Sequence, residues 1–239
     1  MMMRAELEVG IARLRAEIAG LHSELTRHEL VVWTNGNVSG RVVGADLFVI
    51  KPSGVSFEEL APENMILCDL DGVVVPGTPG AARAPSIDAA AHAYVYRAMP
   101  EVGGVAHTHS PYAVAWATLG ESIPCVTTTM VAEFGGEIPV GPLARIGDDS
   151  IGRGIVGTLE GHRSPAVLMQ SHGPFAIGPD ARTAVKTAVL VEDAARVAHL
   201  ARQIGEPRLL TPGSTIPETT TTSPSSTKKS HTTSRKETQ

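Results

Sequence analysis

Cysteine is almost missing: Cys68 and Cys125 are the two in 239 residues, far apart and outside any metal-like spacing. That excludes a disulfide framework and a thiolate metal site, and it points to a reducing cytoplasm. Aromatic residues make up 4%, so the core has to be packed with alanine, valine, leucine and isoleucine. No apolar run approaches the roughly 18 residues that a membrane-spanning helix needs. The opening stretch carries Arg4, Glu6, Glu8, Arg13, Arg15 and Glu17, which leaves no room for a signal-peptide apolar region. Basic excess is missing too. With a net charge of -5 and a pI near 6.0, neither nucleic acid nor an anionic membrane is expected as a partner.

What is present suits one soluble α/β domain: 42% hydrophobic residues, 19% charged, 24 glycines and 17 prolines. Leu7, Ile11, Leu14, Ile18, Leu21 and Leu25 recur every three or four positions, which predicts a helix over 5–27. Short apolar runs at 30–33, 47–50, 65–70 and 73–75 read as strands, with a hairpin turn at Asp71-Gly72 between the last two. Ser86 is placed to cap a helix reaching Met99, where Pro100 stops it. Further on, a strand is expected at 102–108, a helix at 111–119, a strand near 138–140 and a helix over 147–159. A buried strand at 166–170, a glycine turn and a long helix over 181–204 complete the series. From Thr211 to Gln239 the chain is mostly threonine, serine, proline and lysine, with no apolar residue after Ile216. Such a segment buries too little surface to offset the entropy of ordering it. The expected organisation is a domain over 1–210 and a disordered tail over 211–239.

The chemistry gathers on three histidines and an aspartate. His107-Thr108-His109 ends a predicted strand, and alternation along a strand puts both imidazoles on one face, a natural pair of divalent-metal ligands. His172 follows another apolar strand, and Asp88 stands at the start of the helix that leads to His107. Three histidines and a carboxylate would complete a zinc-type shell with room for substrate. A lone His-x-His also occurs as strand packing, so both readings stand at this point. His22 and His92 lack comparable company and read as helix-face residues. A second group could hold an anion: Gly36, Asn37, Lys51, Ser53, Gly54 and Ser86 lie in polar, glycine-bearing turns whose amides, hydroxyls and ammonium could cradle a phosphate. Ordinary turns use the same residue types.

Six stretches, taken together, resemble the class II aldolase/adducin family. They are Gly36-Asn37-Val38-Ser39-Gly40, Ile50-Lys51-Pro52-Ser53-Gly54, Pro85-Ser86-Ile87-Asp88, Gly103 through Ser110, Ser122-Ile123-Pro124 and Ser171-His172-Gly173-Pro174-Phe175. The resemblance is greatest to the L-ribulose-5-phosphate 4-epimerase branch. It implies a three-layer α/β/α sandwich around a mostly antiparallel sheet, where strand-helix alternation alone suggests a parallel one. It further implies a homotetramer with sites between subunits. His107, His109 and His172 are then zinc ligands, with manganese or cobalt as possible substitutes, and Asp88 is the carboxylate beside them. Gly36, Asn37, Lys51, Ser53, Gly54 and Ser86 match the phosphate pocket.

The implied activity is interconversion of L-ribulose 5-phosphate and D-xylulose 5-phosphate by retro-aldol and aldol steps through a metal-bound enediolate. Three departures qualify it. Ile87 replaces a second serine of the phosphate pocket. The epimerases' His-Ala-Asp becomes Met130-Val131-Ala132, leaving Glu133 next door as the candidate acid/base beside Asp88. The epimerases' tyrosine-bearing ending is replaced by the Thr/Ser-rich tail; the three tyrosines are Tyr94, Tyr96 and Tyr112. The alternatives are therefore a class II aldolase of the L-fuculose-1-phosphate type, and a non-catalytic adducin-like module, a branch that lacks the metal histidines.

Overall fold

The computed structural model describes residues 2–211. The tail expected to be disordered lies, beyond Thr211, outside the described residues. Among the described residues, six α-helices flank one seven-stranded sheet: α1 Met2–Arg27, α2 Ala89–Ala98, α3 Pro111–Leu119, α4 Thr128–Phe134, α5 Ser150–Leu159 and α6 Ala181–Ile204. The strands are β1 Asn37–Arg41, β2 Leu47–Ile50, β3 Ile66–Asp69, β4 Gly104–His107, β5 Val140–Gly141, β6 Ala166–Met169 and β7 Gly173–Gly178. Their order across the sheet is β3-β2-β1-β4-β7-β6-β5. Every neighbouring pair is antiparallel except β5 with β6. The mostly antiparallel sheet implied by the resemblance is therefore present, and the parallel one suggested by alternation alone is not.

Two-residue periodicity divides the strand side chains between two cores. Val38, Val49, Leu67, Ala106, Leu168 and Ala176 pack against α1, α3, α4 and α6. Phe48, Ile50, Val105, Val167, Met169, Phe175 and Ile177 pack against α2 and α5. The result is the α/β/α sandwich. No helix among the described residues is long and apolar enough to cross a membrane.

Several expectations shift. Residues 30–33 form no strand: Leu30 is buried but Trp33 turns left-handed at φ 58 and is 83% exposed. Residues 73–75 contribute a single bridge, Cys68 to Val74, beyond the Asp71-Gly72 turn. The helix expected from Ser86 begins at Ala89 with Asp88 as its N-cap, and that expected from Gly147 begins at Ser150. β1 and β7 emerge from stretches that glycine and proline made look like turns. At Gly40 in β1 a side chain would meet Leu14 and Ile18 of α1 at 2.8 and 3.0 Å, so glycine admits the helix rather than breaking the strand. Helix α4 is added, capped by Thr127, whose hydroxyl accepts from the Met130 N–H at 3.2 Å.

Candidate metal centre

Sheet register builds the site. Asn37 pairs with His107 across β1 and β4, and His107 pairs with Phe175 across β4 and β7. Paired residues share a face, so one row carries an amide, an imidazole and a phenyl ring toward α2. Phe175 lies flat on His107, centroids 4.0 Å apart and planes 11° from parallel. β4 ends at His107, so strand alternation does not place His109. Instead the chain is held by the Thr108 N–H to Pro174 O at 3.2 Å and the His109 N–H to Leu30 O at 3.0 Å. Gly36 (φ 92) lies so near His107 that a side chain would meet its carbonyl at 2.9 Å. His172 comes from the tight β6–β7 turn, where Ser171 adopts φ 56. Such a left-handed residue costs about 1 kcal/mol, strain that gathers at functional sites.

The three imidazoles converge. One ligand nitrogen from each of His107, His109 and His172 lies within 4.8 Å of the others. A carbonyl can only accept, so His107 Nδ1 carries the proton it donates to Pro174 O at 3.0 Å. That leaves the lone pair on Nε2, which stands 3.0 Å from His109 Nε2 and 4.0 Å from Asp88 Oδ2. Burial pushes His107 well below its ordinary pKa, and the neighbouring His172 and His109 add to the shift. His109 is also lowered, by burial and then by His172, with Asp88 opposing. His172 is lowered by burial, again against Asp88. Neutral imidazoles are the ligand form. His172 Nδ1, Asp88 Oδ1 and Asn37 Oδ1 are buried without a hydrogen-bond partner among the described residues. Clustered orphans of this kind mark a place for an ion or a substrate, and the donor set suits a divalent metal of the zinc type.

Asp88 is itself held. The Asn37 amide donates to Asp88 Oδ2 at 2.8 Å and to Ser86 Oγ at 3.0 Å. Ser86 Oγ also accepts from the Asp88 N–H at 3.4 Å, so Ser86 braces the helix start instead of capping it. Lys51 leaves β2 beside this cluster, its carbonyl accepting from the Ser86 N–H at 2.9 Å. The residue is 2% exposed; its ammonium donates to Thr34 O at 3.2 Å and is lowered to about 8 by burial, against the pull of Asp88. Ser53 and Gly54 form the exposed turn that follows, tied by the Ser53 N–H to Ala84 O at 2.9 Å.

A family model, Class II Aldolase and Adducin N-terminal domain, matches residues 16–199. The chain belongs to this family. L-ribulose-5-phosphate 4-epimerase UlaF of Salmonella typhi is 38% identical over 203 residues, covering 80% of this chain and 86% of that protein. Among solved structures, an L-fuculose 1-phosphate aldolase superposes with a TM-score of 0.76 at 28% identity, covering 83% of this chain and 90% of that one. YgbL from Klebsiella pneumoniae gives 0.72 at 27%, covering 85% and 96%.

Within this class II aldolase fold, the three histidines, Asp88, Asn37, Ser86 and Lys51 come together as one cluster. Glu133 stands apart on α4, where both its oxygens accept from Lys186 of α6 at 2.9 Å. Two further histidines are fully buried. His92 shares Ser39 with Tyr96: Ser39 Oγ lies 2.7 Å from His92 Nδ1 and from the Tyr96 hydroxyl, beneath Phe175. Spacing could have found this group, because His92 and Tyr96 lie four residues apart on one face of α2 and Asp88, the N-cap, stands four before His92. His22 likewise follows Ile18 by four positions on the buried stripe of α1.

Proposed function

We propose that this chain is a zinc-dependent sugar-phosphate epimerase acting on L-ribulose 5-phosphate. The observation that supports it most is the convergence of His107, His109 and His172 beside Asp88, in a chain 38% identical to an enzyme named for that reaction. A divalent metal held by the three imidazoles, with Asp88 alongside, would stabilise negative charge on the ketose oxygens.

The side chains supply the rest. Retro-aldol cleavage needs a base for the hydroxyl proton on the carbon that becomes an aldehyde. Asp88 takes that part, held in place by Asn37 and backed by the hydroxyl of Ser86. Phosphate binding falls to the Lys51 ammonium, the Ser53 and Ser86 hydroxyls, the Asn37 amide and the backbone at Gly36 and Gly54, a group that favours a dianion by charge and by donors. Holding the phosphate keeps the aldehyde fragment in place while it turns and is re-added through its other face. Glu133 enters this reading only in an assembly; on its own chain it stands on α4, where both its oxygens accept from Lys186. A homotetramer in the cytoplasm is part of the proposal.

A second reading has its own support. Helix α4 offers Ala132, which has no proton to transfer, where the epimerases have an aspartate. Loss of an acid/base there would leave cleavage without re-addition, the outcome of an aldolase. Carbon NMR of zinc-loaded protein with L-ribulose 5-phosphate separates the two. D-xylulose 5-phosphate as the main product supports the epimerase, whereas free dihydroxyacetone and glycolaldehyde phosphate overturn it in favour of the aldolase.

A further inference from the structure

The first two β1 residues lack a partner strand on one side. The β1–β2 ladder pairs Ser39 with Ile50, Gly40 with Val49 and Arg41 with Phe48. Beyond Ile50 the chain departs: the Lys51 carbonyl takes the Ser86 N–H, and Pro52 bridges to Pro85. The Val38 N–H is instead received by His22 Nε2 at 3.0 Å, from the middle of α1. His22 Nδ1 lies 2.7 Å from Ile18 O, a carbonyl that can only accept, so this nitrogen carries the proton and Nε2 the lone pair. Both ring nitrogens are thereby committed.

The face of the same ring stacks on Phe57, with centroids 5.6 Å apart and planes 30° from parallel. Over Phe57, in turn, stands the ammonium of Lys51, 5.4 Å from the ring centroid. One fully buried imidazole on a helix therefore contacts a neighbour of each arm of the proposed phosphate pocket, the Val38 amide beside Asn37 and the Phe57 ring beneath Lys51. It fixes the β1 amide next to Asn37, and it backs the ring on which Lys51 rests.

We propose that His22 is a positioning residue for phosphate binding, setting Asn37 through the Val38 amide and Lys51 through Phe57. This rests on the reading of Asn37 and Lys51 as phosphate contacts. Imidazole suits the place because a single flat side chain supplies an acceptor at its edge and an apolar face. A cation there would repel Lys51 and lose the acceptor, and burial beside Lys51 holds His22 at about 3, with only the Ile18 hydrogen bond opposing. Phenylalanine retains the face without the acceptor, and asparagine can retain an acceptor without the face.

The test is calorimetric titration of the zinc-loaded full chain with inorganic phosphate, for wild type, His22→Phe, His22→Asn and Phe57→Leu. Phe57 is only half-buried, so its variant keeps the test open if a change at His22 prevents folding. Each variant is expected to weaken phosphate binding about tenfold, the scale of one lost buried hydrogen bond or desolvated ring contact. Zinc content should stay at the wild-type level. With L-ribulose 5-phosphate as substrate, KM should rise by several times the factor by which kcat falls. Wild-type phosphate affinity in variants whose melting temperature has dropped would overturn the proposal and leave His22 a packing residue. A wild-type chain that binds no phosphate would overturn it as well. Failure of the epimerase reading is distinguishable: the phosphate titration keeps its pattern while L-ribulose 5-phosphate is not converted.

Discussion

Asn37 and His107 are a direct cross-strand pair, and both address the same oxygen of Asp88. The Asn37 amide donates to Asp88 Oδ2 at 2.8 Å, and His107 Nε2 stands 4.0 Å from it. The sheet register thus sets the carboxylate relative to the first histidine before any ion arrives. Replacing Asn37 with alanine removes the only side-chain donor on that oxygen among the described residues, which frees Asp88 to rotate. Groups that orient metal ligands typically change metal affinity or activity about 10- to 100-fold when lost. Asn37→Ala is expected to fall in that range while the far-ultraviolet circular dichroism stays native. Competition for zinc with a chelator of known affinity and turnover of the zinc-loaded variant check it, and undiminished zinc affinity together with undiminished turnover would dismiss the orienting role.

The convergence of His107, His109 and His172 makes a direct prediction about metal content. With one imidazole removed by His107→Ala or His109→Ala, two remain, too few to hold zinc in the usual three-ligand catalytic arrangement. Both variants are expected to purify with zinc near background and to lose turnover, with the fold retained. Elemental analysis of the purified variants decides the matter. Near-stoichiometric zinc in both would count against these histidines as ligands.

Most of this was legible in the sequence, and the parts that were not share a physical cause. Helix α6 could be read from end to end because its apolar period runs unbroken over 181–204 and Gly205 follows it. His107, His109 and His172 were found by motif, though His109 reaches the site through a bond to Leu30 O rather than by strand alternation. β1 and β7 were missed because the glycines and Pro174 that usually signal turns serve here to admit close neighbours and to offer a carbonyl to His107. The buried roles of His22 and His92 depend on which strand lies beneath each helix, and local periodicity carries no record of that.

Lys51 predicts a pH dependence for substrate binding. Burial lowers its ammonium to about 8, so the charge is present below that value and is lost as the pH rises through it. A phosphate dianion bound by this group should bind less tightly above about pH 8. KM for L-ribulose 5-phosphate is therefore expected to climb across that region, with kcat following a different curve. Lys51→Met should raise KM at neutral pH and flatten the climb. An unchanged slope in Lys51→Met would assign the titration to another group.

His22 predicts a pH dependence for stability. In the folded chain its pKa is held at about 3, against an ordinary value of 6.5. Between those values the unfolded chain takes up a proton that the folded chain refuses, so stability must fall as the pH drops below about 6.5. Other buried histidines, His92 among them, share this slope, which makes a difference measurement necessary. Urea unfolding of wild type and His22→Asn, compared at about pH 7.5 and about pH 5, isolates the contribution. Although His22→Asn is expected to be the less stable protein at the higher pH, it should lose less stability on acidification. Parallel losses in the two proteins would mean that His22 is not held neutral in the fold, and that its bond to the Val38 amide does not survive in solution.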